Sequence, residues 1–362
     1  MSNRRSSRRR RLVRPYIVFV LVLLCLTAAC WAYLWSGLSA YEKGIPANIM
    51  NDLVASLEQS AERGESCADL LDKYGSTHPG FDATLDGALL SEALGSKKIT
   101  HRKATESTAS GAVQYQILAD GEKVANVELT AKKQGIFGLE IYEIHRLSGT
   151  RHITVLAVPG VQVYVSGQEL TDEQKSDEVR IPKDLRALSE FPQNRIDVPS
   201  YETYVLDGLF RTPEIRGRSA SGQESEGVFI NGDQVIVSLP ISEELLADME
   251  ERATTITKKY SYYMSDNLVW GGFRSYIVNT APVYDRLRTL EVYWYTLHDS
   301  TRFENMRMQD WVLHTDRLLS LRMTYDFIVV GQGKVTTYPT DLTYYLAKED
   351  DGVWRVAEMI VN

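Results

Sequence analysis

YIVFVLVLLCLTAACWAYLW, residues 16–35, contains no charged residue, no glycine and no proline, and its reading sets the plan of the whole chain. A helix of this length covers roughly 30 Å at 1.5 Å per residue, the thickness of a hydrocarbon core, where only a helix satisfies its own backbone polar groups. Tyr16 at one end, with Trp31, Tyr33 and Trp35 at the other, supplies the amphipathic rings expected at both interfaces. Seven arginines precede it (Arg4, Arg5, Arg8, Arg9, Arg10, Arg11 and Arg14), whereas no basic residue follows before Lys43. The positive-inside rule therefore predicts a basic cytoplasmic arm over residues 1–15, a single transmembrane helix over 16–36 and an extracellular remainder.

Export signals fit this stretch less well. The apolar region of a cleaved signal peptide is about 7 to 15 residues long, shorter than this run. Thr27-Ala28-Ala29-Cys30 resembles a lipobox, but Thr27 stands where an aliphatic residue belongs and WAYLW, not a polar tether, follows. Ser7-Arg8-Arg9 matches a twin-arginine signal as any arginine-rich flank does.

Beyond the anchor lie about 325 residues, enough for two or three domains that each bury a core. The chain has 40 basic and 48 acidic side chains, and the arm holds seven basic and no acidic ones, so the remainder carries 33 against 48, net −15. That charge argues against nucleic acid as a partner. Cys25 and Cys30 lie in the span, leaving Cys67 alone outside, so no disulfide can staple the ectodomain. A bacterial surface fits an exported chain of this kind better than a eukaryotic one.

Taken in order, Pro46 to Gln59 carries a helical stripe at Ile49, Leu53, Val54 and Leu57, opened by its proline. Helices are predicted at Cys67–Tyr74 and Phe81–Leu94, the second closed by Gly95. The period then changes to two at Val113, Tyr115 and Ile117, Asp120-Gly121 makes a hairpin turn, and Val124–Leu129 and Ile136–Leu147 continue a meander. This is an α+β domain over 42–150. Short strands follow at Ile153–Val158, Val161–Val165, Tyr201–Leu209, Glu214–Arg218 and Val228–Ser238, with a hairpin turn at Asn231-Gly232. They define a small β-sandwich over 151–240. Its polar segment Gln168–Asn194 is read as a solvated crossover loop, with a short helix at Lys183–Ser189 as the alternative. At HITVLAVPGVQVYVSGQEL, with YETYVLDGL and PEIRGRSASG downstream, this part resembles the PEGA-type β repeats of bacterial surfaces.

Residues 241–362 form the last domain. Ser242 is the expected N-cap of a helix reaching Tyr263, with Glu243 and Glu244 favourably placed in its first turn. A second helix is expected over Val283–Leu297, then strands at Met306–His314, Leu318–Val330, Val335–Ala347 and Val353–Val361. In the second of these, Leu319, Leu321, Met323, Tyr325 and Phe327 share one face, with Ser320, Arg322, Thr324 and Asp326 opposite. Helices on a bent four-stranded sheet ending in DGVWRVAEMIV resemble the nuclear transport factor 2-like cone. The fold class is thus α+β and multidomain, an ectodomain on one transmembrane helix. The order of parts resembles the teicoplanin-resistance-associated (TcaA) membrane proteins of Gram-positive bacteria, apart from the cytoplasmic zinc ribbon usual there, whose place arginines take here. That resemblance implies a role in cell-wall maintenance or envelope stress.

Cones of this type host isomerases that need a pocket carboxylate and buried donors. Asp310, His314 and Glu358 are the candidate cavity groups, with Tyr325 and Tyr344 as donors. Asp310 and His314, four apart on one strand, would share a face yet stand roughly 13 Å apart, too far for a dyad. The pairs His298-Asp299 and His314-Asp316 lack metal-ligand spacing, so neither metal nor cofactor is expected. Tyr260, Tyr262, Tyr263 and Tyr293-Trp294-Tyr295, together with Trp270, Trp311, Tyr344 and Tyr345, supply the aromatic content of a recognition groove. The expected function is non-catalytic binding or scaffolding, with Tyr295, Trp311, Tyr325, Tyr344, Asp310 and His314 as binding residues and a cell-wall component or envelope protein as partner. An enzyme using the terminal pocket and an accessory subunit of an export or division complex are the alternatives.

Overall fold

The computed structural model describes residues 5–74, 83–104, 112–134, 138–189, 196–290 and 298–362, except the side chains of 5–15, 83, 133, 134 and 179. The chain forms two compact units, Met1–Thr150 with Gly208–Arg211, and Arg151–Asp207 with Thr212–Asn362.

In the first unit one helix, α1 (Arg5–Lys43), carries the apolar stretch. Its part Tyr16–Lys43 is long and apolar enough to cross a membrane, and its large side chains face outward, Leu24, Leu26 and Trp31 being 60–65% exposed. It outruns the expected 16–36 because nothing between Trp35 and Lys43 stops it. The stop comes at Gly44-Ile45, where Pro46 biases Ile45 away from helical angles and its ψ is 131°. The N–H of Tyr142 bonds the carbonyl of Gly44 at 3.0 Å, tying the helix end to a strand.

Helix α2 (Pro46–Arg63) buries Met50, Leu53 and Leu57, and α3 (Ala68–Tyr74) and α4 (Ala83–Leu94) follow. Cys67 is buried beside them and burial pushes its thiol up, so it behaves as a small apolar residue. Strands β1 (Ile99–Lys103), β2 (Val113–Ala119), β3 (Glu122–Gln134) and β4 (Glu140–Gly149) pair in sequence order, all antiparallel. The Asp120-Gly121 turn has φ of 50° and 85°, the left-handed pair that an Asp-Gly hairpin favours. Strand β1 was not evident from sequence: ITHRK has one buried residue and owes its place to pairing with β2.

The second unit contains an eight-stranded sheet. Its strands are β5 (Arg151–Ala157), β6 (Val161–Val165), β7 (Gln168–Glu169), β8 (Lys175–Arg180), β9 (Tyr201–Leu209), β10 (Ile215–Ser219), β11 (Glu224–Asn231) and β12 (Gln234–Val237), in the order β7-β6-β10-β11-β12-β5-β9-β8. β11 pairs with β10 through Glu224–Glu226 and with β12 from Gly227 onward, joining two ladders through one strand. The segment read as a solvated loop instead supplies β7 and β8, and the alternative helix forms as α5 (Lys183–Ser189). Its helix buries Leu185 and Leu188, two apolar residues three apart in an otherwise polar stretch. The Asn231-Gly232 hairpin forms with a bulge and without left-handed angles at either residue.

The same unit continues into α6 (Glu243–Met264), α7 (Trp270–Phe273), α8 (Pro282–Arg288) and a sheet of long antiparallel strands, β13 (Ser300–Thr315), β14 (Leu318–Gly331), β15 (Lys334–Lys348) and β16 (Trp354–Val361), paired in that order. Ser242 caps α6, its hydroxyl accepting from the N–H of Leu245 at 3.2 Å. α8 is shorter than expected; residues 291–297, with Tyr295 among them, lie outside those described. Between β13 and β14 the register shifts at three places, and such bulges bend a sheet. Along β14 the expected alternation holds from Leu321 to Phe327, whereas Leu318, Leu319 and Ser320 are all buried. There both faces are covered, as contacts from Tyr201 of β9 to His314 show.

Candidate functional site

The curled sheet and α6 enclose a solvent-open cavity of about 820 Å³, within the roughly 300–1,000 Å³ usual for small-molecule sites. Register explains its wall. Tyr325 stands opposite Thr340 and Phe327 opposite Tyr338, so these four residues share the face turned toward α6. The helix contributes Tyr260, Ser261 and Met264, and the hydroxyls of Ser261 and Tyr325 are 2.8 Å apart. Arg307, Thr324, Asp326 and Asp341 border it from the alternate positions of the same strands, which belong to the opposite face of the sheet.

Burial raises the phenols of Tyr260, to about 12, and of Tyr325, which hydrogen bonds from Ser261 and Thr340 only partly offset. Both remain protonated at neutral pH and act as hydrogen-bonding groups. Arg322 grips Asp341 with two nitrogens at 2.9 and 2.6 Å, and this pairing holds the carboxyl below its usual range. Asp326 accepts from the Asn305 amide at 2.7 Å. The wall thus offers apolar area with hydroxyl tips, and its carboxylates already have donors.

Of the residues selected from sequence, Tyr325 lines this cavity. Tyr344 does not: it is fully buried beneath α6 and accepts from Thr257 at 3.3 Å. Asp310 and His314 do not share a face. Bulges at Gln309/Val312 and Leu313/Thr315 break the two-residue period, and Asp310 takes a left-handed φ of 57°. Asp310 therefore points to solvent, 3.6 Å from Arg322, while His314 is entirely buried. Trp311 borders a separate groove with Phe229 and Leu239. Glu358 is buried, accepting from Arg286 and from the N–H of Met359, a structural ion pair away from the cavity.

The aromatic runs divide similarly. Tyr263, Trp270 and Phe273 pack on one another with centroids 5.6 to 6.3 Å apart, and the Tyr263 hydroxyl donates to the Leu287 carbonyl. They hold α6 against α7, with Tyr263 and Phe273 buried and Trp270 half-buried. Sequence reasoning passed over Arg307, Phe327 and Tyr338. The Gln332-Gly333 turn, with φ of 51° and 74°, is the signal that would have placed Tyr338 opposite Phe327. Among the described residues no group of three or more His, Cys, Asp or Glu side chains is arranged to hold a metal ion.

No protein-family model matches the chain, and no curated protein does. Among solved structures it is similar to an Ntf2-like protein involved in plasmid conjugation, with 11% identity and a TM-score of 0.23 over 74% of this chain and 79% of that one.

Proposed function

We propose that this is a membrane-anchored, non-catalytic binding protein of the bacterial cell envelope. Its arginine arm is cytoplasmic, residues 16–36 span the bilayer, and the rest is extracellular, where the terminal cavity recognises envelope material. The observation that carries the binding reading is the cavity wall: tyrosine and phenylalanine in register, phenols kept protonated by burial, and no carboxylate left without a hydrogen-bond donor to serve as a base. The order of parts, from basic arm through span, helix-and-meander sheet and β-rich segment to a curled sheet, supports kinship with the TcaA type of envelope protein.

Two measurements test this. External protease on intact cells should degrade residues beyond the span and spare α1; a protected terminal sheet would refute the orientation. For the cavity, Thr340→Trp places an indole into the space, and rescue of a deletion strain's envelope phenotype should be lost at normal surface abundance. Asp326→Asn should retain rescue, whereas an enzyme deprived of its base would fall roughly 10²-fold or more. Loss with Asp326→Asn and retention with Thr340→Trp would make the protein an enzyme.

A further inference from the structure

We propose that the terminal cavity takes an uncharged amphiphile, an apolar body carrying one hydroxyl or carbonyl, and that Tyr260 and the Ser261–Tyr325 hydroxyl pair receive its polar end. The inference rests on the binding reading above and names the ligand class of the same cavity.

The two-residue period of the strands keeps charge off the cavity wall. Arg307, Thr324 and Asp341 stand in one row across β13, β14 and β15, and Asp326, two residues beyond Thr324, shares their face. Partners hold both carboxylates there, Arg322 and Asn362 on Asp341 and Asn305 on Asp326. Tyr325, Phe327, Tyr338 and Leu342 occupy the other face, against Tyr260 and Met264 of α6. Of the charged residues that border the cavity, Arg307, Asp326 and Asp341, none lies on this face. Arg286, whose charge reaches Tyr260, is already bound to Glu358 and to the Met359 carbonyl. An ion entering against this face would therefore give up its hydration without meeting a counter-charge.

What this face offers besides apolar area is hydroxyls. Tyr260 makes no hydrogen bond among the described residues, although it is half-buried and burial keeps its phenol protonated. Next to it in the chain, the Ser261 hydroxyl lies 2.8 Å from that of Tyr325. Two hydroxyls sharing one bond keep one O–H and free lone pairs between them. A ligand carbonyl can accept from Tyr260 or from this pair, and a ligand alcohol can also donate to it. Phe327, Val329, Leu342 and Met264 complete the lining with no hydrogen-bonding group in their side chains, so the rest of the ligand is apolar. The cavity of about 820 Å³ has room for both parts.

The test uses the full chain in phosphatidylcholine nanodiscs and photoreactive diazirine probes of one chain length ending in alcohol, methyl ester, carboxylate, amine or plain hydrocarbon. Labelled peptides are quantified by mass spectrometry, and adducts on α1 report how much probe the bilayer holds. The alcohol or ester probe, or both, should label residues 325–342 saturably, and the two arms distinguish an alcohol end from a carbonyl end. At equal labelling of α1, the carboxylate and amine probes should label these residues at least about tenfold less. Tyr260→Phe and Ser261→Ala each remove a hydroxyl and little volume, and each should lower alcohol and ester labelling about three- to tenfold, the loss expected for one hydrogen bond. Labelling by the hydrocarbon probe should stay the same in both variants, which reports an intact cavity. Arg302→Gln, on the opposite face of the sheet, should change nothing. Stronger labelling by carboxylate or amine than by alcohol and ester overturns the uncharged ligand and leaves the binding cavity standing. Hydrocarbon labelling equal to that of the alcohol and ester, with indifference to Tyr260→Phe and Ser261→Ala, overturns the hydrogen-bonded end. Labelling by every probe no higher than in Thr340→Trp overturns the cavity as a binding site altogether.

Discussion

Lowering the pH from 7 to 4.5 should cost the second unit roughly 3 kcal/mol of stability through His314 alone, from a folded pKa near 3 against an unfolded value of about 6.5. His314 is fully buried, and desolvation pushes its pKa down because a charged ring has no water there. The groups around it suit the neutral ring. The Tyr201 hydroxyl lies 2.6 Å from Nδ1 and the Ser320 hydroxyl 2.9 Å from Nε2, so a phenol donating to one nitrogen and a ring N–H donating to Ser320 satisfy both. Tyr345 stacks on the ring at 5.9 Å, and its own hydroxyl reaches Asp184 of α5. Among the described residues the hydrogen-bond partners of the imidazole are these two hydroxyls, with no carboxylate to stabilise a proton. Below pH 6.5 the unfolded chain binds a proton that the folded chain refuses. Stability is thus fully present above that value and falls as pH drops toward 3. Hydrogen exchange of β13 and β14 peptides at the two pH values measures the change. His314→Gln should be weaker at pH 7 but lose about 3 kcal/mol less on acidification. Equal acid slopes in the two proteins would show that His314 is protonated in the fold.

His314 also marks how far the sequence could be read. Its strand was recognised, and so was the packed face of β14, because Leu321, Met323, Tyr325 and Phe327 keep a strict two-residue period that the structure retains. The end of α6 and its Ser242 cap were equally legible, since capping chemistry is local. What failed was extrapolation through bulges. A bulge adds a residue to one strand and reverses the face of everything beyond it, and β13 contains several, so Asp310 and His314 end in opposite environments. The cavity was legible in kind but not in membership. Tyrosines advertised it, yet Tyr263 went to the core and Tyr338 to the wall. That choice depends on the register across the Gln332-Gly333 turn and on which helix covers which face, neither of which composition carries. In segment 168–189 the loop was preferred over the helix at Lys183–Ser189, and the preference failed for a related reason: two buried leucines suffice for a short helix once a sheet is there to receive them.

Alanine at Gly149 should destabilise the protein by more than about 3 kcal/mol, at or beyond the upper end of ordinary overpacking. Gly149 is the last residue of β4, paired with Ala125 of β3. A methyl group on its Cα would stand 2.0 Å from both the carbonyl carbon and the oxygen of Leu209, and 2.3 Å from the nitrogen of Phe210. These are backbone atoms, so no rotamer change relieves the clash. Nor can that backbone retreat freely, because Leu209 is fully buried and Phe210 is 4% exposed. Relief would have to come from sliding β4 against β3, which breaks ladder hydrogen bonds, or from withdrawing Leu209 and Phe210 from their packing, at about 1.5–3 kcal/mol for each large apolar side chain returned to water. The neighbouring ion pair between Arg211 and Glu92 is exposed and contributes little either way. Gly232 serves as the comparison: nothing lies within 4 Å of its would-be Cβ and its φ is not left-handed. Gly232→Ala should be neutral or gain up to about 1 kcal/mol by restricting the unfolded chain. Chemical denaturation of the two variants in the same detergent, followed by exchange of β3 and β4 peptides, measures the contrast. A loss below about 1 kcal/mol for Gly149→Ala would mean that β4 and the Leu209–Phe210 backbone do not approach as closely as described.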